Sequence, residues 1–146
     1  MLAAKAARIV VNNSPSLPVG FYRETSEPVT KGSLVIFRGP AQACEGRPYA
    51  QDRLIKMAVA MQGDRVSVSP EGVTVNGKRL ANSQPRQSDR HGQAMPVLEL
   101  KDYELREGEV MPMSDYNPHS FDGRYYGPIK ARDAVVLRAV WTWDAP

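Results

Sequence analysis

Cysteine and histidine are almost missing from this chain of 146 residues, and no apolar run in it is long. The single thiol, Cys44, excludes an intrachain disulfide. It has no Cys or His neighbour at ligand spacing and reads as a buried or incidental thiol. His91 and His119 lie far apart in polar surroundings without a third ligand pattern, which argues against zinc. No metal and no other cofactor is expected. No apolar run approaches the ~18 residues needed to span a bilayer. Residues 1–8 lack the apolar core of a secretory leader, so the chain reads as soluble. Blocks of Lys and Arg are absent too, and the net charge of +3 is spread thinly, so no nucleic-acid partner is expected.

What remains is ordinary globular material. A 42% hydrophobic and 24% charged composition matches a folded domain, and the length suits one domain spanning residues 1–146. Twelve prolines and eleven glycines predict a mainly β, loop-rich architecture with little helix.

In chain order, residues 5–12 form a short extended or helical lead. Lys31-Gly-Ser-Leu-Val-Ile-Phe37 reads as a buried strand, and residues 38–51 as a loop broken by Gly-Pro and Gly-Arg-Pro. Residues 52–61 are the most apolar segment; a strand is preferred over a short helix because Gln62-Gly-Asp64 ends it like a turn. Arg65-Val-Ser-Val-Ser69 alternates strictly, and Asn76-Gly77 predicts a two-residue hairpin between residues 73–76 and 78–80. Residues 81–96 are polar without a period and predict a surface loop. Strands are also expected at 97–105, at 107–113 and, closing the chain, at 134–143.

Three stretches carry chemistry. In Asn12-Asn-Ser-Pro-Ser-Leu-Pro-Val-Gly-Phe-Tyr22, two prolines bias Ser14 and Leu17 away from helix and leave a stiff segment around Ser16, with Gly20 letting the chain turn. Alone it is a proline-bounded surface loop. Lys56 sits mid-strand on the face of Leu54 and Ala58. Apolar neighbours disfavour the ammonium, and a neutral lysine can deprotonate a serine. Alone it is a lysine that snorkels to water. Residues 113–128 are dense in hydrogen-bonding side chains, and Asp122 with Arg124 offers a charge-assisted pair. Alone that is a polar turn with a surface ion pair.

In order, Ser-Leu-Pro, Lys-Gly-Ser-Leu-Val-Ile-Phe, Arg-Leu-Ile-Lys-Met-Ala-Val-Ala-Met-Gln-Gly-Asp and Ser-Phe-Asp-Gly-Arg-Tyr-Tyr-Gly resemble the boxes of type I signal peptidases. The resemblance runs from residue 12 to residue 128. The opening Asn-x-Ser-x-Ser-x-Pro-x-Gly-x-Tyr is most similar to the conjugative-transfer branch, the TraF-type pilin-processing peptidases. By that resemblance Ser16 is the nucleophile and Lys56 the general base. Ser14, with the Ser16 amide, holds the oxyanion; Ser120 orients the lysine; Asp122 and Arg124 support the site. Two departures stand out: Ala60-Met-Gln-Gly-Asp64 replaces the family's glycine- and proline-rich turn, and Gly123 replaces a serine.

The resemblance implies a single signal-peptidase-like β-rich domain at the periplasmic face of the bacterial inner membrane. Its substrate would be a pilin precursor or another preprotein, cut after a small residue. The family's N-terminal membrane anchor is expected to be missing from this chain. Trp141, Trp143 and the segment around Phe21 are expected to keep a membrane-facing surface. A general leader peptidase, a self-cleaving repressor-type domain and a non-catalytic component of a conjugation apparatus are the rival readings. The repressor-type reading lacks a DNA-binding head.

Overall fold

The computed structural model describes residues 8–50 and 53–143. Eleven strands are distributed over two antiparallel sheets among the described residues. They are β1 (Ile9–Asn12), β2 (Val19–Glu24), β3 (Leu34–Arg38), β4 (Arg53–Ala60), β5 (Arg65–Ser69), β6 (Gly72–Val75), β7 (Lys78–Arg79), β8 (Leu100–Glu104), β9 (Glu109–Met113), β10 (Ile129–Lys130) and β11 (Ala134–Trp143). The larger sheet has the order β1-β2-β11-β3-β4-β9-β10, and the smaller the order β7-β6-β5-β8. The mainly β expectation holds.

The central strands form where the sequence is β-branched. Val35, Ile36 and Phe37 in β3 are all buried, as a strand covered on both faces requires. β4 alternates instead, burying Leu54, Lys56, Ala58 and Ala60 on one face. β5 buries Val66 and Val68. At the predicted hairpin Asn76 and Gly77 take positive φ values of 50° and 81°, the geometry of a primed turn. The Asn76 side chain reinforces it by accepting from the Arg65 amide and donating to Asp64.

Several expectations shift. The strand expected from Lys31 begins at Leu34, because Gly32 (φ 93°) and the Thr30–Ser33 hydrogen bonds hold a turn first. The loop expected at 38–51 contains a short helix, α1 (Ala41–Cys44), and a 3-10 turn at Pro48–Ala50. Cys44 packs into the core between these pieces, as a structural thiol would. The strand expected from residue 97 starts at Leu100, leaving Val97 exposed. The lead is extended from Ile9 onward, while residues 1–7, 51 and 52 lie outside the described part.

Gly20 is no turn residue. It lies buried within β2, and a Cβ there would collide with the Trp141 carbonyl and Thr142 of β11. The β2–β11 register slips between Ala139 and Trp141, and the glycine accommodates that bulge.

Candidate active site

The segment between β1 and β2 is built on Asn12. Its buried carboxamide donates to the carbonyls of Ser14 (3.2 Å), Leu17 (3.3 Å) and Pro18 (3.1 Å) and accepts from the Ser14 amide at 3.0 Å. One side chain thus supplies the partners that a tight, proline-interrupted loop cannot supply itself. Leu17 is buried as an anchor, and the Tyr22 hydroxyl donates to the Pro18 carbonyl at 2.6 Å. Ser16 is held nearly out of water, 7% exposed. The Ser14 hydroxyl donates to Ser16 Oγ at 3.4 Å and accepts from the Ser16 amide at 3.4 Å. The two donors expected to face an oxyanion therefore face each other here.

Lys56 stands opposite Val35 in the β3–β4 ladder and is 4% exposed. Burial is the main reason its ammonium loses its proton easily, at a pKa of about 8 instead of 10.5. The Asp122 carboxylate pulls that value up and the Arg124 guanidinium pushes it down. No hydrogen bond from Lys56 Nζ is formed among the described residues.

The Asp122–Arg124 pair is fully buried, unlike the surface pair that the turn would suggest in isolation. Asp122 caps α2 (Gly123–Tyr126) through the Arg124 amide and meets the guanidinium through both oxygens, at 2.7 and 2.9 Å. Its Oδ2 also accepts from the Ser114 amide at 2.9 Å. Arg124 spends its other donors on the carbonyls of Asn82 (2.7 Å), Gln84 (3.3 Å), Pro118 (3.3 Å) and Ser114 (3.1 Å). One guanidinium thus ties the polar segment 81–96 to the loop after β9.

Gly123, where the related family has serine, has no room for one. A Cβ would press on Met111 and the Pro112 carbonyl at 2.8 Å. Ser120 is buried, yet its hydroxyl has no hydrogen-bond partner among the described residues, so the expected Ser120–Lys56 bond is not made.

Two residues were not singled out from sequence. Asn12 carried a weak cue, since an Asn before a Ser-Pro step readily mimics backbone. Ser114 carried only its place in the polar stretch 113–128. Its buried hydroxyl donates to the Ser16 carbonyl, while its own amide and carbonyl are held by Asp122 and Arg124. A continuous buried chain therefore runs from Arg124 through Asp122 and Ser114 to Ser16.

Ser14, Ser16 and Lys56 line one cleft of about 330 Å³. Leu54, Met95, Phe121 and Tyr125 contribute its apolar surface, and Arg86, Arg90, His91 and His119 also border it. The two histidines, far apart in sequence, meet at this one site. A serine hydroxyl and an easily deprotonated lysine sharing a partly dry cleft is an arrangement suited to acyl transfer. Elsewhere, Phe21, Trp141 and Trp143 cluster on the exposed face of β2 and β11, with ring centroids 5.8 and 6.3 Å apart. No helix among the described residues is long and apolar enough to cross a membrane.

The family model described as "Signal peptidase, peptidase S26" matches residues 1–143. The chain is similar to two plasmid transfer proteins TraF of Escherichia coli. One is 37% identical over 154 residues, covering 94% of this chain and 85% of the relative. The other is 35% identical over 154 residues, covering 97% and 87%. A crystal structure of a signal peptidase I from Enterococcus faecalis is similar at 17% identity with a TM-score of 0.45, over 81% of this chain and 100% of that one.

Proposed function

We propose, for a chain that belongs to the signal peptidase family S26, a serine endopeptidase whose nucleophile is Ser16 and whose general base is Lys56. The observation that carries this reading is the burial of Lys56 in the cleft that Ser16 also lines. At a pKa of about 8, roughly one lysine in ten is neutral at pH 7, against fewer than one in a thousand for an exposed one.

Neutral Lys56 takes the Ser16 proton as Oγ attacks the scissile carbonyl. The Ser14 hydroxyl and the Ser16 amide turn from each other toward the oxyanion, so substrate replaces an internal contact that is already long. Collapse expels the amine, which takes the proton from Lys56, and leaves an acyl group on Ser16. Water, deprotonated by Lys56, then gives a linear product; an amine of the same substrate gives a cyclic one. The unfilled Ser120 hydroxyl is available to steady the lysine during these transfers.

The relatives named plasmid transfer proteins support a precursor of the conjugation machinery as the substrate, and the motif resemblance to pilin-processing peptidases makes that precursor a pilin. The exposed Phe21–Trp141–Trp143 cluster supports work at a membrane surface, which the family resemblance makes the periplasmic face of the inner membrane. Intact mass spectrometry of the membrane-embedded pilin precursor, incubated with wild type, Ser16→Ala and Lys56→Met, tests the reading. Wild type should remove a terminal peptide, and each variant should lose at least about a thousandfold in kcat. A product one water lighter than the linear cut would mean cyclisation. Undiminished cleavage by Lys56→Met, or none by wild type, would sink it.

A further inference from the structure

The bulk of the charge on the cleft is one-signed. Arg86, Arg90, His91 and His119 line it beside Lys56, and among the described lining residues Asp89 is the one acid. Asp89 is already engaged. Its Oδ1 accepts from the amides of His91 and Gln93, both at 2.9 Å, and its Oδ2 faces Arg47 Nη1 at 3.6 Å. Those bonds close a small hairpin over residues 87–95, joined by the Ser88–Ala94 bridge and fixed to the body where Arg47 donates to the Ala94 carbonyl at 2.8 Å.

Arg90 sits near the tip of that hairpin, exposed, with no hydrogen bond or ion pair to any described residue. Arg86 has its backbone amide bonded to the hydroxyl of Tyr125, itself a cleft residue, at 3.0 Å. Among the described residues its guanidinium makes a single long contact, Nε to the Pro118 carbonyl at 3.5 Å, and no ion pair. Burial, and then repulsion from these two arginines, holds the His119 imidazole below the usual histidine range, so the lasting charge is theirs. Two unpaired guanidinium groups on anchored backbone suit a carboxylate, which they can meet with paired donors.

We infer that this cleft prefers peptide substrates bearing a carboxylate within a few residues of the scissile bond, received by Arg86 and Arg90. The inference rests on the peptidase reading above and adds the substrate chemistry. Two sources share that chemistry, an Asp or Glu side chain and a free C-terminus.

The test uses full-length Ser16→Ala protein, which binds without turnover. The probes are fluorescein-labelled alanine-based peptides in which one Glu is moved through successive positions. Each is paired with its Gln counterpart, and each is made as C-terminal acid and amide. In fluorescence anisotropy the acidic member should bind about tenfold tighter at low salt, the size expected for two partly exposed pairs. The difference should shrink to about twofold at high salt and vanish when Arg86→Gln and Arg90→Gln are added. The Glu/Gln pairs and the acid/amide pairs separate the two sources.

Equal binding across all pairs overturns the inference, as does discrimination that survives loss of both arginines. It is likewise overturned if the arginine changes weaken only binding to phosphatidylglycerol vesicles. Precursor cleavage by wild type is scored separately. Carboxylate discrimination without cleavage defeats the peptidase reading and spares this one, and the converse result does the opposite.

Discussion

The two sheets bury different chemistry. Behind the smaller sheet, Val66, Val68 and Val73 pack with Leu105 and with Ala60, Met111 and Met113 from β4 and β9, and the buried polar side chain there, Ser83, is fully used. Ser83 accepts from the Val73 amide at 2.9 Å and donates to the Leu80 carbonyl at 2.6 Å. The larger sheet and its loops bury Asn12, Ser16, Lys56, Ser114, Ser120, Asp122 and Arg124. Among the described residues they also leave the Ser120 and Tyr126 hydroxyls and Arg47 Nη1 without a hydrogen-bond partner. Unmet polar groups inside a fold cost stability, and here they gather on the side that holds the cleft. The unmet groups are concentrated around the candidate site, and the smaller sheet carries the plainer apolar packing.

That contrast can be broken most severely at Arg124. Removing one partner of a buried ion pair leaves the other charge stranded, so Arg124→Leu should cost about 3–5 kcal/mol in urea unfolding. Just after β8, beside the smaller sheet, Leu105→Ala should cost a comparable ~2–5 kcal/mol through its cavity. The two separate in kinetics. Arg124→Leu removes a cation that depresses Lys56 and frees Asp122 to raise it, so the acid limb of kcat/KM should move above its wild-type position near 8. Leu105→Ala should leave that limb in place. A limb that stays put in both would detach the buried pair from the lysine.

Lys56→Met should act in the opposite direction. The folded protein releases the lysine proton at about 8, whereas the unfolded chain holds it to 10.5. Stability therefore rises with pH across that window; the cost is full below about 8 and gone above 10.5. The variant should be more stable than wild type by about 3 kcal/mol at pH 7, with the gain fading by pH 10.5. An inactive variant of unchanged stability would place the lysine nearer water than its 4% exposure implies.

Ser114→Ala deletes the hydroxyl that holds the Ser16 carbonyl. It should cost about 1–3 kcal/mol in stability. With Ser16 looser, kcat should fall at least about tenfold with KM nearly constant, and Ser114→Thr should recover part of it. Its smaller-sheet counterpart, Ser83→Ala, should lose similar stability without that kinetic effect. Tyr126→Phe is the mildest change. It removes a buried hydroxyl that has no partner, so stability should stay within about 1 kcal/mol of wild type or rise.

Much of this was legible from residues alone. Alternation placed Lys56 on the buried face of β4, Asn76-Gly77 placed the primed turn, and β11 spans the ten residues expected of it. Ser16 and Lys56, forty positions apart, were linked by the order of motifs and do line one cleft. The failures share a cause. α1 and α2 are four residues each, too short to show a helical period. The 87–95 hairpin is mostly polar and shows no hydrophobic period, so nothing in its composition announces that it borders the cleft. Ser114 and Asn12 act by bonding backbone atoms, which any sequence possesses. Gly20 was read as a turn because its neighbour across the sheet, Trp141, lies more than a hundred residues away.

The place of β11 in the larger sheet has a consequence for folding. That strand, the last described, lies between β2 and β3 and is paired to both. Without residues 134–143 the backbone pairing of the larger sheet falls into two ladders. One is the β1–β2 hairpin carrying Ser16; the other is the β3-β4-β9-β10 sheet carrying Lys56. Pairing over such sequence distances is slow and comes late in folding. The cleft that Ser16 and Lys56 share is therefore completed late in folding, when residues 134–143 slot between the two ladders.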